Sequence, residues 1–172
     1  MSLIDYKRYA KSISYGGNRN YKDVRFIVIH YTGGTKDTAK NECDFFATGN
    51  TRSAGAHYFV DFQGKIGKSI PITKIAYSVG GNQKSGEKGE AKYFNICTNK
   101  NSVSIELCGI ANKEPSLKQI EATRQLIKAI RKYCPHATNI IRHWDVNGKK
   151  CPARMAGYKN TKWESFKKAI SI

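Results

Sequence analysis

The sequence predicts a single α/β domain in which a central mixed β-sheet is flanked by helices. Short β-branched apolar runs alternate along the chain with segments of helical periodicity, and this alternation is typical of α/β proteins. The length of 172 residues is typical of one domain, and no repeat or low-complexity linker divides the chain. We therefore expect one domain over residues 1–172, with an N-terminal extension (1–22) and a core (24–170).

The strands of the sheet are predicted from runs rich in Val, Ile and aromatic residues. Each run stops at glycine, proline or polar turn residues, as short buried strands do. The turn at 62–65 is expected to join the strands on either side of it into a hairpin. The predicted strands are 24–30, 56–61, 66–70, 102–108 and 139–143.

The helices are predicted from capping residues that are followed by apolar positions at helical spacing. The two later helices begin with sequences that match a capping box, Ser116 with Gln119 and Thr161 with Glu164. The segment 80–95 is rich in Gly, Lys, Asn and Ser and is expected to form a long loop. The predicted helices are 38–48, 116–134 and 161–170.

The charge of the chain is strongly positive. Thirty Lys and Arg residues face 13 Asp and Glu residues, which gives a formal net charge of +17. A field of this sign attracts polyanions, and nucleic acids, anionic cell-wall polymers and membrane surfaces all satisfy that description. The basic residues are spread along the whole chain, so charge alone does not choose among these partners.

The cellular setting is indicated by two negative features of the sequence. No apolar run approaches the roughly 20 residues of a membrane span, and the polar N-terminus does not resemble a secretory signal. The five cysteines are odd in number, irregularly spaced and without a CxxC pair, which argues against a disulfide framework. We expect synthesis in the cytoplasm with reduced thiols, and any action outside the cell requires either another exit route or a longer precursor.

Three residues form a candidate metal site. His30 and His143 each end a predicted strand, and side chains at strand ends of an α/β sheet project into the crevice that usually holds the functional site. Cys151 follows His143 across a loop that can fold back. Two imidazoles and a thiolate are good zinc ligands, and three protein ligands leave one position open for water. Spacing alone also permits ordinary structural histidines and a buried thiol.

Four segments carry a resemblance to a known family. FIVIHYTGG, SAGAHYFVDFQGKI, NSVSIELCG and RHWDVNGKKCP occur in that order. Together they resemble type 2 N-acetylmuramoyl-L-alanine amidases, which include phage lysozyme-type amidases, bacterial autolysins and animal peptidoglycan recognition proteins. The resemblance extends over residues 24 to 170. It implies a zinc hydrolase that cleaves the amide between N-acetylmuramic acid and L-alanine in peptidoglycan.

The resemblance assigns roles to particular residues. The family's zinc ligands correspond to His30, His143 and Cys151, so one zinc ion is the expected cofactor. The family's catalytic lysine corresponds to Lys149, whose ammonium group can stabilise an oxyanion beside the metal. The neighbouring Lys150 is expected to point elsewhere.

Glu106 is the expected general base. It interrupts the apolar run 103–108, where a carboxylate is costly unless it is paired or functional. In several branches of the family, a glutamate at this position activates the zinc-bound water, and partial burial would raise its pKa toward the range that a base needs. Alternation along the strand equally permits a solvent-facing glutamate on an edge strand. Some branches use a tyrosine at the position of Ala56, and its absence here strengthens the assignment to Glu106.

The remaining groove residues are assigned more loosely. His57 matches a histidine that is frequent near the groove in the family, and it either contacts substrate or packs. Ser78 stands where some relatives have a histidine, so Ser78 and the loop 80–95 are expected to recognise a different peptide. Thr32 and Asn95 are further candidates for substrate contact.

The sequence therefore favours a peptidoglycan amidase, released as a phage endolysin or derived from an autolysin and acting at the bacterial cell wall as a monomer. The basic surface would attract the enzyme to anionic wall polymers. One alternative is a peptidoglycan-binding module without activity, although such relatives typically lose the third ligand, and Cys151 is present. The other is a nucleic-acid-binding protein, which is not expected because no signature of such a fold occurs.

Overall fold

The protein folds around a six-stranded mixed β-sheet, seen in a computed structural model that describes residues 3–83 and 88–171. The strand order is β1-β5-β4-β7-β3-β8. The pair β4–β5 is antiparallel, whereas all other neighbours in this sheet are parallel. The predicted α/β class with a mixed sheet and flanking helices is therefore confirmed. Residues 84–87 of the predicted loop lie outside the described residues.

The strands match the predicted runs closely, with ends one or two residues shorter. Strand β3 ends one residue later than predicted, and β8 ends one residue earlier, so that His143 begins a helix. The sheet contains β1 (Tyr6–Lys7), β3 (Phe26–Tyr31), β4 (Tyr58–Val60), β5 (Ile66–Lys68), β7 (Ser102–Leu107) and β8 (Asn139–Arg142), and a second, two-stranded sheet contains β2 (Tyr15–Asn18) and β6 (Lys74–Ala76).

The N-terminal extension takes part in both sheets. Strand β1 adds a parallel edge to β5, and β2 pairs with β6 in the small antiparallel sheet. The sequence of this extension is polar and rich in tyrosine, and it had no strand-like apolar run. The segment is extended because its backbone groups form hydrogen bonds with the edges of β5 and β6.

Within the described residues, four α-helices complete the fold, and three of them begin at a side-chain cap, provided by Thr38, Ser116 and Asn160. The predicted first helix is α1, which continues as one π-helical turn at Phe45–Gly49. An additional short helix, α3, follows β8 directly. The helices are α1 (Ala39–Asp44), α2 (Leu117–Tyr133), α3 (His143–Asn147) and α4 (Thr161–Ile170).

Both predicted capping boxes require correction. The side chain of Ser116 accepts the backbone N–H of Gln119 as predicted, but the Gln119 amide points into the core. The cap of α4 is Asn160, whose side chain accepts the N–H of Trp163, and Thr161 is the first helical residue. The predicted cap, Thr161, was therefore one residue too late. The sequence allowed both positions because asparagine caps a helix as well as threonine does.

The two faces of the sheet are covered differently. Helices α2 and α4 bury one face, where Ile27 and Ile29 of β3 and Ile105 of β7 join the main core. Helices α1 and α3 lie with smaller apolar clusters on the other face. Because side chains alternate along a strand, residues between those isoleucines point to this second face.

All five cysteines are free and buried, in line with the absence of a disulfide framework in the prediction. Most fill small apolar sites, as free cysteines commonly do. Among the described residues, no helix combines the length and the apolar character needed to cross a membrane.

Gln119 links helix α2 to the sheet. Its side chain is fully buried, and Nε2 donates to the carbonyls of Val60 (2.8 Å) and Cys108 (3.0 Å). Val60 is the last residue of β4, and Cys108 directly follows the last residue of β7. Buried carbonyls of this kind are costly to leave without a donor. The side chain thus fixes the helix against the strand ends that lead to the second face.

Replacing this side chain should destabilise the fold. For Gln119→Ala we expect a loss of about 2–3 kcal/mol in the free energy of unfolding, because two buried hydrogen bonds are removed. Urea denaturation would report it as a lower midpoint with an unchanged slope. Gln125→Ala, on a more exposed position of the same helix, should change stability by less than about 0.5 kcal/mol. Equal effects of the two substitutions would contradict the anchoring role.

Candidate metal centre

The site begins with a neighbouring pair on adjacent parallel strands. His30 of β3 is in register with Glu106 of β7. Both belong to the alternating set that points away from the α2–α4 core, so their side chains emerge on the same face. The histidine is 1% exposed, whereas the glutamate is half-buried.

His143 and Cys151 reach the same place through a tight reversal of the chain. His143 is the first residue of α3, and Gly148 ends this helix in the left-handed conformation with φ of 80°. Glycine adopts this conformation without steric strain, which lets the chain turn back. The backbone N–H of Trp144, the residue after His143, then donates to the carbonyl of Cys151 at 2.9 Å. This hydrogen bond holds Cys151 next to the start of α3.

The three predicted ligand atoms converge. Nδ1 of His30 lies 3.1 Å from Nδ1 of His143 and 3.8 Å from Sγ of Cys151. All three ligand atoms lie within 4.8 Å of one another, and all three residues are buried. Two imidazole nitrogens and a thiol sulfur that meet at one point could hold a metal ion.

A buried ion pair supports this arrangement. The guanidinium of Arg142 contacts the carboxylate of Asp145 through two nitrogens, at 2.7 and 3.0 Å. Its third nitrogen donates to the carbonyls of Met155 and Gly157, at 2.7 and 2.9 Å, in the segment that follows Cys151. Arg142 therefore connects the strand before His143 with the segment after Cys151. A planar guanidinium suits such bidentate contacts better than an ammonium group does.

Burial controls the protonation of the candidate ligands. Desolvation lowers the pKa of His30 well below its ordinary value, and His143 and Lys149 add to the effect. His30 is therefore neutral and keeps a lone pair for a metal. Desolvation raises the pKa of the Cys151 thiol, and Glu106 adds to the rise. Without a cation this thiol stays protonated, whereas a bound metal ion would favour the thiolate.

Glu106 lies in the interior of the sheet. Strand β7 pairs with β3 on one side and with β4 on the other. The alternative that the sequence permitted, a solvent-facing glutamate on an edge strand, is therefore excluded. Oε2 of Glu106 is buried and has no hydrogen-bond partner among the described residues. Burial raises the pKa of Glu106 to about 8; Glu42 and Asp37 contribute to the rise, and Lys149 opposes it. The carboxyl group is thus placed to exchange a proton near neutral pH.

A groove of about 440 Å³ opens over these groups. Its walls include His143, Cys151, Glu106 and Lys149, together with residues from α1, from the segment before β4 and from the segment after β6. The groove thus joins the candidate metal ligands His143 and Cys151 to the carboxylate of Glu106 and to Lys149. Lys150 is exposed and is not part of these walls.

Two of the loosely assigned residues line this groove. Thr32 contributes to the wall, and its hydroxyl donates to the carboxylate of Asp37. Ser78 lies where the groove continues into a second cavity, and its backbone N–H donates to Oδ1 of Asn99 at 3.0 Å. The Oγ atom of Ser78 is buried without a partner in the part of the chain that the structure describes.

His57 lies outside the groove. Its side chain is fully buried, and its Nδ1 lies 3.0 Å from the Ser104 hydroxyl and accepts the Ser104 backbone N–H at 3.1 Å. Its Nε2 lies 2.8 Å from the Arg19 guanidinium. Of the two roles that the sequence left open, packing fits this position, and substrate contact does not.

Asn95 is also absent from the groove. It occupies an exposed turn with φ of 59°, and the asparagine that lines the second cavity is Asn99. Asparagine adopts this left-handed conformation more readily than most residues do, which accounts for Asn95 in the turn.

The sequence reasoning missed Glu42, which lines the groove from α1. The direction of Glu42 follows from the burial of Ala39 and Cys43, which the structure shows and the sequence alone does not. Tyr31, Arg52 and Tyr77 were also missed. They occupy a strand end and loops, where periodicity carries no signal.

Comparisons with known proteins agree with this geometry. A family model described as N-acetylmuramoyl-L-alanine amidase matches residues 20–154. The chain is 30% identical over 138 residues to the N-acetylmuramoyl-L-alanine amidase CwlL of Bacillus licheniformis, which covers 76% of this chain and 36% of that protein. A probable N-acetylmuramoyl-L-alanine amidase of the same species is 29% identical over 136 residues, covering 75% and 36%. The chain thus matches about a third of the length of these relatives.

Solved structures share the fold. The structure of PlyL superimposes with a TM-score of 0.74 at 19% identity, covering 100% of this chain and 98% of that chain. A mutant endolysin from Bacillus subtilis gives a TM-score of 0.72 at 21% identity, covering 98% and 99%. Identities this low establish a common fold and nothing further. The family model's match over residues 20–154 and the relative at 30% identity show that this chain belongs to the N-acetylmuramoyl-L-alanine amidase family.

Proposed function

We propose that this protein is a zinc-dependent amidase of bacterial peptidoglycan. It hydrolyses the amide bond between the lactyl group of N-acetylmuramic acid and L-alanine. The observation that carries the proposal is the convergence of His30, His143 and Cys151 beside a groove. His143 and Cys151 line this groove together with Glu106 and Lys149. Membership of the family supports the choice of substrate.

Zinc suits the three ligand atoms. Tetrahedral zinc with ordinary bond lengths separates two nitrogens by about 3.3 Å and a nitrogen from a sulfur by about 3.6 Å. The corresponding distances here are 3.1 Å and 3.8 Å. The mixed imidazole and thiolate set also favours zinc over magnesium or calcium, which prefer oxygen ligands. When bound, zinc would supply Lewis acidity, which lowers the pKa of water and polarises a carbonyl group.

Glu106 acts as the proton carrier in this proposal. A divalent cation at the adjacent ligands would lower the pKa of Glu106 from about 8, which leaves a carboxylate able to accept a proton from the attacking water. The same group then gives this proton to the nitrogen of alanine as the amide breaks. Its buried position, with no partner on Oε2 among the described residues, keeps it available for the transfer.

Lys149 stabilises the negative charge that develops on the lactyl carbonyl oxygen. Its ammonium group lines the groove and influences both Glu106 and Cys151 electrostatically. A preformed charge of this kind is effective because it needs no reorganisation during the reaction. Thr32 and Ser78 are proposed to contact the substrate along the same groove.

The setting proposed for this activity is the cell wall, reached on host lysis as an endolysin or as part of an autolysin. The net charge of +17 would draw the protein to anionic wall polymers. We further propose that the extension 1–22 and the core 24–170 act as one catalytic unit, since β1 and β2 join the sheets.

Metal binding can be tested through the third ligand. Cys151→Ala should reduce zinc from about one ion per chain to a small fraction, because two imidazoles alone form an incomplete site. Elemental analysis of the purified protein measures this directly, with circular dichroism to verify folding. Cys97→Ala removes a buried thiol outside the cluster and should retain zinc. Full zinc occupancy in the Cys151→Ala protein would refute this ligand set.

The role of Glu106 can be separated from that of the metal. Glu106→Gln should lower kcat by about a hundredfold or more while zinc content stays unchanged, because proton transfer is lost. Release of N-terminal alanine from purified cell walls, without new reducing ends, reports the reaction. Glu121→Gln, exposed on α2, serves as the control. Wild-type rates in the Glu106 variant would assign the proton transfer elsewhere.

The two adjacent lysines provide a matched pair. Lys149→Ala should lower kcat about a hundredfold, as the loss of one oxyanion-stabilising group does in other hydrolases. Lys150→Ala removes the same charge from a residue outside the groove and should retain near-normal activity. The comparison uses the same alanine-release measurement. Similar losses in both variants would indicate a general effect of charge, contrary to a local role of Lys149.

A further inference from the structure

A second carboxylate, that of Glu42, faces the groove from helix α1. The buried residues of this helix are Ala39 and Cys43, which pack against Phe59 and Cys108 on the sheet. Residues three or four positions apart share one side of a helix, so this packing also sets the direction of Glu42. The side chain is half-buried in the wall of the groove, on the same cavity as Glu106 and Lys149.

The Glu42 carboxylate has neither a hydrogen bond nor an ion pair with residues 3–83 or 88–171. Other carboxylates do pair with Lys or Arg, at Asp5, Asp44, Glu114, Glu121 and Asp145. Burial and the nearby Asp37 raise the pKa of Glu42 to about 7, so a cation brought to this place would be bound favourably.

We propose that Glu42 is a specificity-determining residue that binds a primary ammonium group on the peptide moiety of the substrate. The proposal rests on the amidase function proposed above. The sugar cannot supply the cation, because the nitrogen of N-acetylmuramic acid is acylated and uncharged. The peptide can, where one of its residues is a diamino acid with a free side-chain amine, such as lysine.

The chemistry of the groove fits such a ligand. An ammonium group donates hydrogen bonds to a carboxylate, and this charge-assisted contact is stronger when both groups are partly removed from water. The exposed Arg52 also lines the groove and carries the opposite charge. A peptide that carries both amino and carboxyl groups would therefore meet complementary charges on the two residues.

The test compares two synthetic substrates on zinc-loaded protein. One is N-acetylmuramoyl-L-Ala-D-isoGln-L-Lys, and the other has the lysine Nε acetylated. Wild-type protein should cleave the lysine substrate with kcat/KM about tenfold higher, as one charge-assisted hydrogen bond provides. In Glu42→Gln the two substrates should be cleaved equally, at the rate of the acetylated substrate. Glu42→Asp should recover part of the preference. The control Glu164→Gln removes a charge from exposed α4 and should keep the full preference.

Binding is measured separately, so that failure of the amidase proposal is distinguishable. The free peptides L-Ala-D-isoGln-L-Lys and its Nε-acetyl form are titrated calorimetrically into wild-type and Glu42→Gln proteins. A tighter complex with the lysine peptide that disappears in Glu42→Gln supports the proposal, even if no substrate is cleaved. Equal binding of the two peptides by wild-type protein overturns it. A Glu42→Gln variant that loses activity on both substrates by the same factor also overturns it, and would make Glu42 a participant in the chemistry.

Discussion

The parallel pairing of β3 with β7 is the constraint on which the rest of the site depends. Its register places His30 next to Glu106 on the face of the sheet that α2 and α4 do not cover. A shift of one residue in either strand would turn its side chain into the apolar core, because alternate residues point to opposite faces. The buried isoleucines that follow the same alternation oppose such a shift. Core packing and site geometry are therefore determined by one pattern.

The second half of the site depends on a different interaction. His143 and Cys151 belong to a short reversal of the chain that has little regular structure of its own. The buried Arg142 guanidinium joins Asp145 to the carbonyls after Cys151, and the hydrogen bond from Trp144 to Cys151 closes the reversal. Polar groups that are fully satisfied in this way can make an irregular segment rigid. These contacts hold two of the three candidate metal ligands, His143 and Cys151, in place although Cys151 is in a loop.

The charges of the molecule are divided between its surface and its groove. The surface carries most of the excess of 30 basic over 13 acidic residues, whereas the carboxylates of Glu42 and Glu106 lie in the groove and form no ion pair with the described residues. Desolvation makes ionised carboxylates costly there, and a divalent cation or an ammonium group reduces that cost. The groove also contains Arg52 and Lys149, so it presents both charges to a ligand. A basic exterior combined with such a groove is consistent with a protein that approaches an anionic polymer and then binds a charged part of it.

Much of this architecture was determined by local sequence. The β-branched runs predicted the main strands. His30 and His143 stood out because each ends one of these runs, where the apolar pattern stops. The loop after His143 supplied Cys151, and the four motif segments added Lys149 and the expected role of Glu106. The caps were accurate to one residue, since Asn160 and Thr161 are both good capping residues.

Other features were decided only by tertiary structure. The N-terminal strands form because β5 and β6 offer unpaired edges, and nothing in residues 1–22 indicates them. His57 was expected near the groove and is instead enclosed by Ser104 and Arg19, which are distant in sequence. Glu42 enters the groove because its helix packs through Ala39 and Cys43. In each case the deciding contacts come from segments far apart in the chain, so only the folded sheet could bring them together.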